Sequence, residues 1–101
     1  MNTAEEYFMA VVREKSIARA AEKLYLSQQN LSNSIKRLEQ RYGVLFWRKP
    51  HFCLTAEGEA LYRTLQQIQV LENNLSAELL EIKNEDSGPK AGLREHRRNT
   101  P

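Results

Sequence analysis

The sequence predicts a mainly α fold: three short helices, a small two-stranded wing and one long fourth helix. Three observations predict it. The 101 residues hold only four glycines and three prolines beside a charged fraction of 28%, a balance that favours helices over a β-sandwich or a disordered chain. Apolar residues recur at three- and four-residue steps through most of the first 82 positions. That period lapses only between Val44 and Leu54. A hydrophobic fraction of 41% is enough for one modest core, and the length leaves no room for a second, catalytic domain.

Each element has its own signal. Tyr7, Phe8, Val11 and Val12 make one apolar face of a helix over Ala4 to Arg13. Ser16 is an N-cap residue for a second helix that buries Ile17, Ala20, Ala21 and Leu24, where the alanine pair lets another helix cross closely. Tyr25 and Leu26 interrupt the pattern, and Ser27 caps a third helix from Gln28 to Tyr42. Its inward face is Leu31, Ile35, Leu38 and Tyr42, and Gly43 ends it. Val44–Trp47 and Phe52–Leu54 then read as two short strands around a wing of Arg48, Lys49, Pro50 and His51. Phe46, Trp47 and the lone Cys53 are expected as packing residues there, in preference to a stacking or redox role.

Thr55 caps the longest element, with Glu57 near its positive terminus and Gly58 as an early imperfection. The apolar stripe Leu61, Leu65, Ile68, Leu71, Leu75, Leu79 and Ile82 has a mean step of 3.5 residues, the coiled-coil period. A helix of about 40 Å could not hide that whole stripe against a domain of about fifty residues, so a partner helix is expected. From Asn84 the periodicity is lost, and Ser87, Gly88, Pro89 and Gly92 precede a basic cluster at Arg94, Arg97 and Arg98. The expected organisation is therefore a winged helix-turn-helix domain over 1–54, a linker and dimerisation helix over 55–83, and a flexible tail over 84–101.

Charge is distributed in blocks. The formal net charge is +2, yet residues 15–49 carry +6 and residues 50–82 carry −4. A basic segment between acidic flanks fits a polyanion-facing surface, as it also fits an ordinary solvated basic face. Other classes are disfavoured. His51 and His96 stand in a wing and a tail, and neither a Gly-rich phosphate loop nor a convincing pair of carboxylates is present, so no enzyme, cofactor or metal site is expected. One cysteine allows no intrachain disulfide and fits a reducing cytoplasm. No signal peptide or uncharged membrane-spanning run is visible, so no membrane partner is expected.

Two short helices joined by a tight turn, the second opening with Ser27-Gln28-Gln29-Asn30, form a helix-turn-helix whose second member suits a DNA major groove. The stretch Ser16-Ile17-Ala18-Arg19-Ala20-Ala21-Glu22-Lys23-Leu24, then Leu26-Ser27-Gln28, Leu31-Ser32, Ile35-Lys36-Arg37-Leu38-Glu39 and Gly43-Val44, resembles the N-terminal domain of LysR-type transcriptional regulators. Leu54-Thr55-Ala56-Glu57-Gly58 resembles that family's passage from wing to linker helix, and the likeness covers residues 1–82. The resemblance implies a bacterial transcription factor, acting in the cytoplasm at the nucleoid, whose third helix reads base edges and whose linker helices pair antiparallel in a homodimer. Family members continue into an effector-binding domain of periplasmic-binding-protein type. This chain stops where that domain would begin, with Gly92-Leu93-Arg94 faintly resembling the opening of its first strand, so no small-molecule effector site is expected within it, whether it is a fragment of a longer regulator or a stand-alone DNA binder.

The side-chain chemistry agrees with that expectation. Gln and Asn present a donor and an acceptor together and so pair bidentately with adenine, while Ser reaches either kind of base. Gln28, Gln29, Ser32 and Asn33 are the candidates for base readout, against the ordinary alternative of a solvated helix start. Arg19, Ser27, Lys36 and Arg37 are the candidates for phosphate contacts, and Arg41 and Lys23 are expected to be solvated. Lys49 and His51 are the wing candidates, although a turn histidine is commonly without a role. The chain departs from the family where Gln29 and Asn30 replace a common Pro-Ala pair, where Asn33 replaces a frequent Arg, and where a short wing lacks the usual arginine at its tip. Specificity is expected to be its own. The rival reading is a protein-interaction module that heterodimerises through the linker helix with a full-length regulator and modulates it.

Overall fold

Asn2 starts the first helix with a capping box: its Oδ1 accepts from the Glu5 amide at 2.9 Å, and Glu5 Oε1 accepts from the Asn2 amide at 2.9 Å. In the computed structural model, which describes residues 1–86, helix α1 then spans Thr3–Glu14, α2 Ile17–Leu24, α3 Gln28–Tyr42 and α4 Ala56–Asp86. Strands β1 (Phe46–Trp47) and β2 (Cys53–Leu54) pair antiparallel between α3 and α4, with Phe46 opposite Leu54 and Trp47 opposite Cys53. This is a winged helix-turn-helix followed by a long helix.

The caps lie where hydroxyls and a glycine called for them. Ser16 Oγ accepts from the Arg19 amide and Ser27 Oγ from the Asn30 amide, both at 3.1 Å. Gly43 ends α3 at φ 95°. Thr55 joins the wing to α4: its Oγ1 donates to the Val44 carbonyl at 2.6 Å and accepts from the Gly58 amide at 3.0 Å. Tyr25 ends α2 in the left-handed region at φ 57°, with its own amide donating to Glu22 O and the Leu26 amide to Ala21 O. That pair of bonds closes the turn of the helix-turn-helix.

One core holds α1, α2 and α3 together. It contains Phe8 and Val11 from α1, Ile17, Ala20 and Ala21 from α2, and Leu31, Ile35 and Leu38 from α3. Leu45 and Phe46 extend it under the wing, where Phe46 stacks on Phe52 with ring centroids 5.0 Å apart. Tyr7, Val12, Leu24 and Tyr42 sit half-buried at its margin. Ala20 and Ala21 are buried without bulk, which is why α1, α2 and α3 pack mutually at close range.

Several expectations need correction. The strands are two residues each, shorter than the apolar runs that announced them, because Val44 and Leu45 are bound by Thr55 and by Glu39 Oε2 instead of a strand partner. Strand alternation buries Phe46 and turns Trp47 out, 54% exposed. Cys53, opposite Trp47, is likewise exposed and is not a packing residue. Residues 84–86 continue α4, and the remainder of the expected tail, with Gly92-Leu93-Arg94, His96 and the arginine cluster, lies outside the described residues.

The stripe expected to form a dimer seam is in part occupied within the single chain. Leu61 and Leu65 are 8% and 1% exposed within the domain's own core, and Ile68 packs half-buried against it, so the first two are spent on the fold of a single chain. The chain divides into two units, Met1–Ile68 and a second beginning at Gln69. The core unit therefore extends past residue 54, because the wing and α3 need the first turns of α4 as cover. In the second unit Leu71, Leu75 and Leu79 are exposed, with Val70 and Leu80 beside them, and Ile82 is half-buried.

Candidate nucleic-acid interface

Helix α3 carries two opposed faces. Leu31, Ile35 and Leu38 fix the inner one in the core, so the three- and four-residue steps from Gln28 to Arg37 set Gln28, Gln29, Ser32, Asn33, Lys36 and Arg37 along the outer one. Gln28, Gln29, Asn33, Lys36 and Arg37 are exposed and Ser32 is half-buried. Gln29 Nε2 donates to Asn33 Oδ1 at 3.2 Å, one helical turn apart. The bond leaves Gln29 an acceptor and Asn33 its amide donors on the solvent side, a pre-oriented pair suited to a base edge.

Two open clefts lie beside this face. The larger, about 330 Å³, is lined by Gln29, Ser32, Lys36 and Glu39 of α3, by Ile17, and by Val44, Phe46 and Arg48 of the wing side. Its neighbour, about 270 Å³, is lined by Lys15, Ser16, Ile17, Ala18 and Gln28 together with Phe46, Arg48 and Phe52. The structure thus brings Gln28, Gln29, Ser32 and Lys36 together around the clefts. Arg19, Asn33, Arg37, Lys49 and His51 are exposed but line neither cleft, and Ser27 is exposed at the α3 cap.

Two cations were missed by sequence reasoning. Arg48 and Lys15 belong to the same basic block as the candidate residues but lie outside α3, so only the tertiary fold sets them beside that helix. Lys23 and Arg41 are engaged elsewhere: Lys23 Nζ is 3.4 Å from Glu14 Oε2, and the Arg41 guanidinium lies 5.0 Å from the Tyr42 ring centroid. Among the described residues there is no group of three or more potential metal ligands, and no helix is long and apolar enough to cross a membrane.

Comparison with known proteins gives the same domain. The sequence model of bacterial regulatory helix-turn-helix proteins of the lysR family matches residues 4–59. The HTH-type transcriptional regulator CysL of Bacillus subtilis is 42% identical over 74 residues, covering 71% of this chain and 25% of CysL. This chain therefore spans about a quarter of that relative's length. Among solved structures, the BenM DNA-binding domain in its complex with benA site 1 DNA superposes with a TM-score of 0.73 at 30% identity, covering 81% of this chain and 99% of that one. Full-length CbnR bound to its target DNA superposes at 0.71 with 26% identity, over 83% of this chain and 29% of that one. CysL is a transcriptional regulator, and the two solved structures are complexes with DNA. With α1 from its second residue, α2, α3, the wing and the start of α4 inside the matched span, the chain belongs to the LysR family of bacterial regulatory helix-turn-helix proteins.

Proposed function

We infer that this chain binds double-stranded DNA in a sequence-specific manner as a homodimer and regulates transcription at the bacterial nucleoid. One observation carries the reading: the outer face of α3 is a continuous row of exposed amides and a hydroxyl, anchored from behind by three buried aliphatics and flanked by bases. In the major groove Gln28, Gln29, Ser32 and Asn33 would meet base edges, whereas Arg19, Ser27, Lys36 and Arg37 would hold phosphates and set the register. Lys49 and His51 at the wing tip would approach the flanking minor groove. The likeness to BenM and CbnR, both solved in complexes with DNA, supports the reading of DNA as the partner.

The homodimer is supported by Leu71, Leu75 and Leu79, exposed at four-residue steps along one side of α4 and followed at the next three-residue step by Ile82. Aliphatic side chains at that spacing are costly to leave in water and suit a second copy of the same helix. Selection of bound duplexes from a random DNA pool tests both parts. Two related half-sites at a fixed helical spacing are expected, and a pool with no enriched sequence, or a chain that binds only when mixed with a longer relative, would overturn the reading.

A further inference from the structure

Arg48 is the charged residue common to the linings of both clefts. It shares the first cleft with Lys36 and the second with Lys15, which sits in the left-handed turn between α1 and α2 at φ 54°. Arg48 follows directly on β1, in which Phe46 is buried and Trp47 exposed, and it lines both clefts from the wing side. Arg48 is exposed, and its side chain has no hydrogen bond, ion pair or ring contact with any described residue. Glu39 is the sole carboxylate on either lining, and its Oε2 is held by the Leu45 amide at 3.0 Å.

If α3 occupies a major groove and the wing tip the neighbouring minor groove, the sugar-phosphate strand that separates the two grooves has to cross the space between them. That space is the pair of clefts. A guanidinium with five fixed donors, unpaired and with a lysine to either side, matches a row of phosphate oxygens. We propose that Arg48, flanked by Lys36 and Lys15, clamps the DNA strand that divides the groove read by α3 from the groove touched by the wing. The clamp rests on the reading of α3 as the groove-bound helix. It adds affinity on every sequence and fixes the angle between helix and wing, while base choice stays with α3.

The test is a set of fluorescence-anisotropy titrations of the whole chain against a selected duplex and a scrambled one over a range of KCl. Arg48→Gln is expected to weaken both by about tenfold for each protomer bound, and, with two copies in the proposed homodimer, to flatten the slope of log affinity against log salt by about 1.8. Arg48→Lys should retain the slope and lose part of the affinity, since it keeps the charge without the fork. Lys23→Gln, which removes the partner of Glu14, is the control and should leave the slope unchanged. A neutral methylphosphonate placed in the strand between the two grooves should cost the wild type as much as Arg48→Gln does, and cost that variant nothing more. An unchanged salt slope in Arg48→Gln, or a change in its preferred bases, would overturn the clamp alone. Failure of the wild type to bind any duplex would overturn the reading of α3, and the clamp with it.

Discussion

Two glycines show how differently one residue type is used. Gly43 ends α3 with a positive φ, and a Cβ there would touch only the Glu57 side chain at 3.9 Å, so its conformation is what requires glycine. Gly58 lies inside helix α4 and is needed for space: a Cβ would come within 1.9 Å of the Leu45 carbonyl oxygen. That oxygen accepts from the Thr55 amide at 3.0 Å and cannot yield without parting wing from helix. Gly58→Ala is therefore expected to destabilise the domain by about 2 kcal/mol, measurable as a lower urea midpoint at unchanged slope. On the reading face, Gln29→Ala removes one half of the Gln29–Asn33 bond and a candidate base contact together. It should shift the preferred base in a selected pool, whereas Arg37→Ala should weaken all duplexes alike. Uniform weakening by both would refute the assignment of readout to Gln29.

At the scale of elements, α4 has a part in the core and a proposed part in a dimer, which its sequence period runs together. Leu61 and Leu65 belong to the core, and Tyr62 between them meets Phe8 of α1 edge-on at 6.4 Å between ring centroids. Leu71, Leu75 and Leu79 contribute nothing to that core. Truncation should separate the duties. Leu65→Ala is expected to cost about 2–5 kcal/mol of stability, read by thermal unfolding of the whole chain. Leu75→Glu should leave the unfolding of the core nearly untouched and convert the proposed dimer to monomer in sedimentation at micromolar concentration. A Leu75→Glu chain that still sediments as a dimer would move the interface elsewhere. The caps and the helix faces were legible because each depends on neighbours within one turn: Ser16, Ser27 and Thr55 bind amides three residues on, and Leu31, Ile35 and Leu38 fall on one side by geometry alone. Which surface covers the α4 stripe was not legible. A period of 3.5 records that a stripe is apolar and says nothing of what lies opposite it.

For the molecule as a whole, the uneven charge is its most consequential property. A net +2 conceals a block of +6 over residues 15–49, and the fold sets its members around α3: Lys36 and Arg37 on that helix, Arg19 on α2, and Arg48 and Lys15 beside the clefts. If all five meet phosphate in each half of a dimer, log affinity should fall against log salt with a slope of about −9. A slope less than half as steep would mean that most of these bases remain in water.

The sequence by itself determined the helices and most of their ends, though not the end of α4, together with the polarity of each face, the basic block and the family, since capping, periodicity and charge are properties of residues close together in the chain. Only the tertiary structure decided that Leu61 and Leu65 serve the core, that Trp47 and Cys53 face solvent, that Gly58 makes room for a carbonyl, and that Arg48 joins Lys36 and Lys15 around the reading helix. Each of these depends on what a distant segment brings into contact, and burial and proximity of that kind are set by packing among elements rather than by any local pattern.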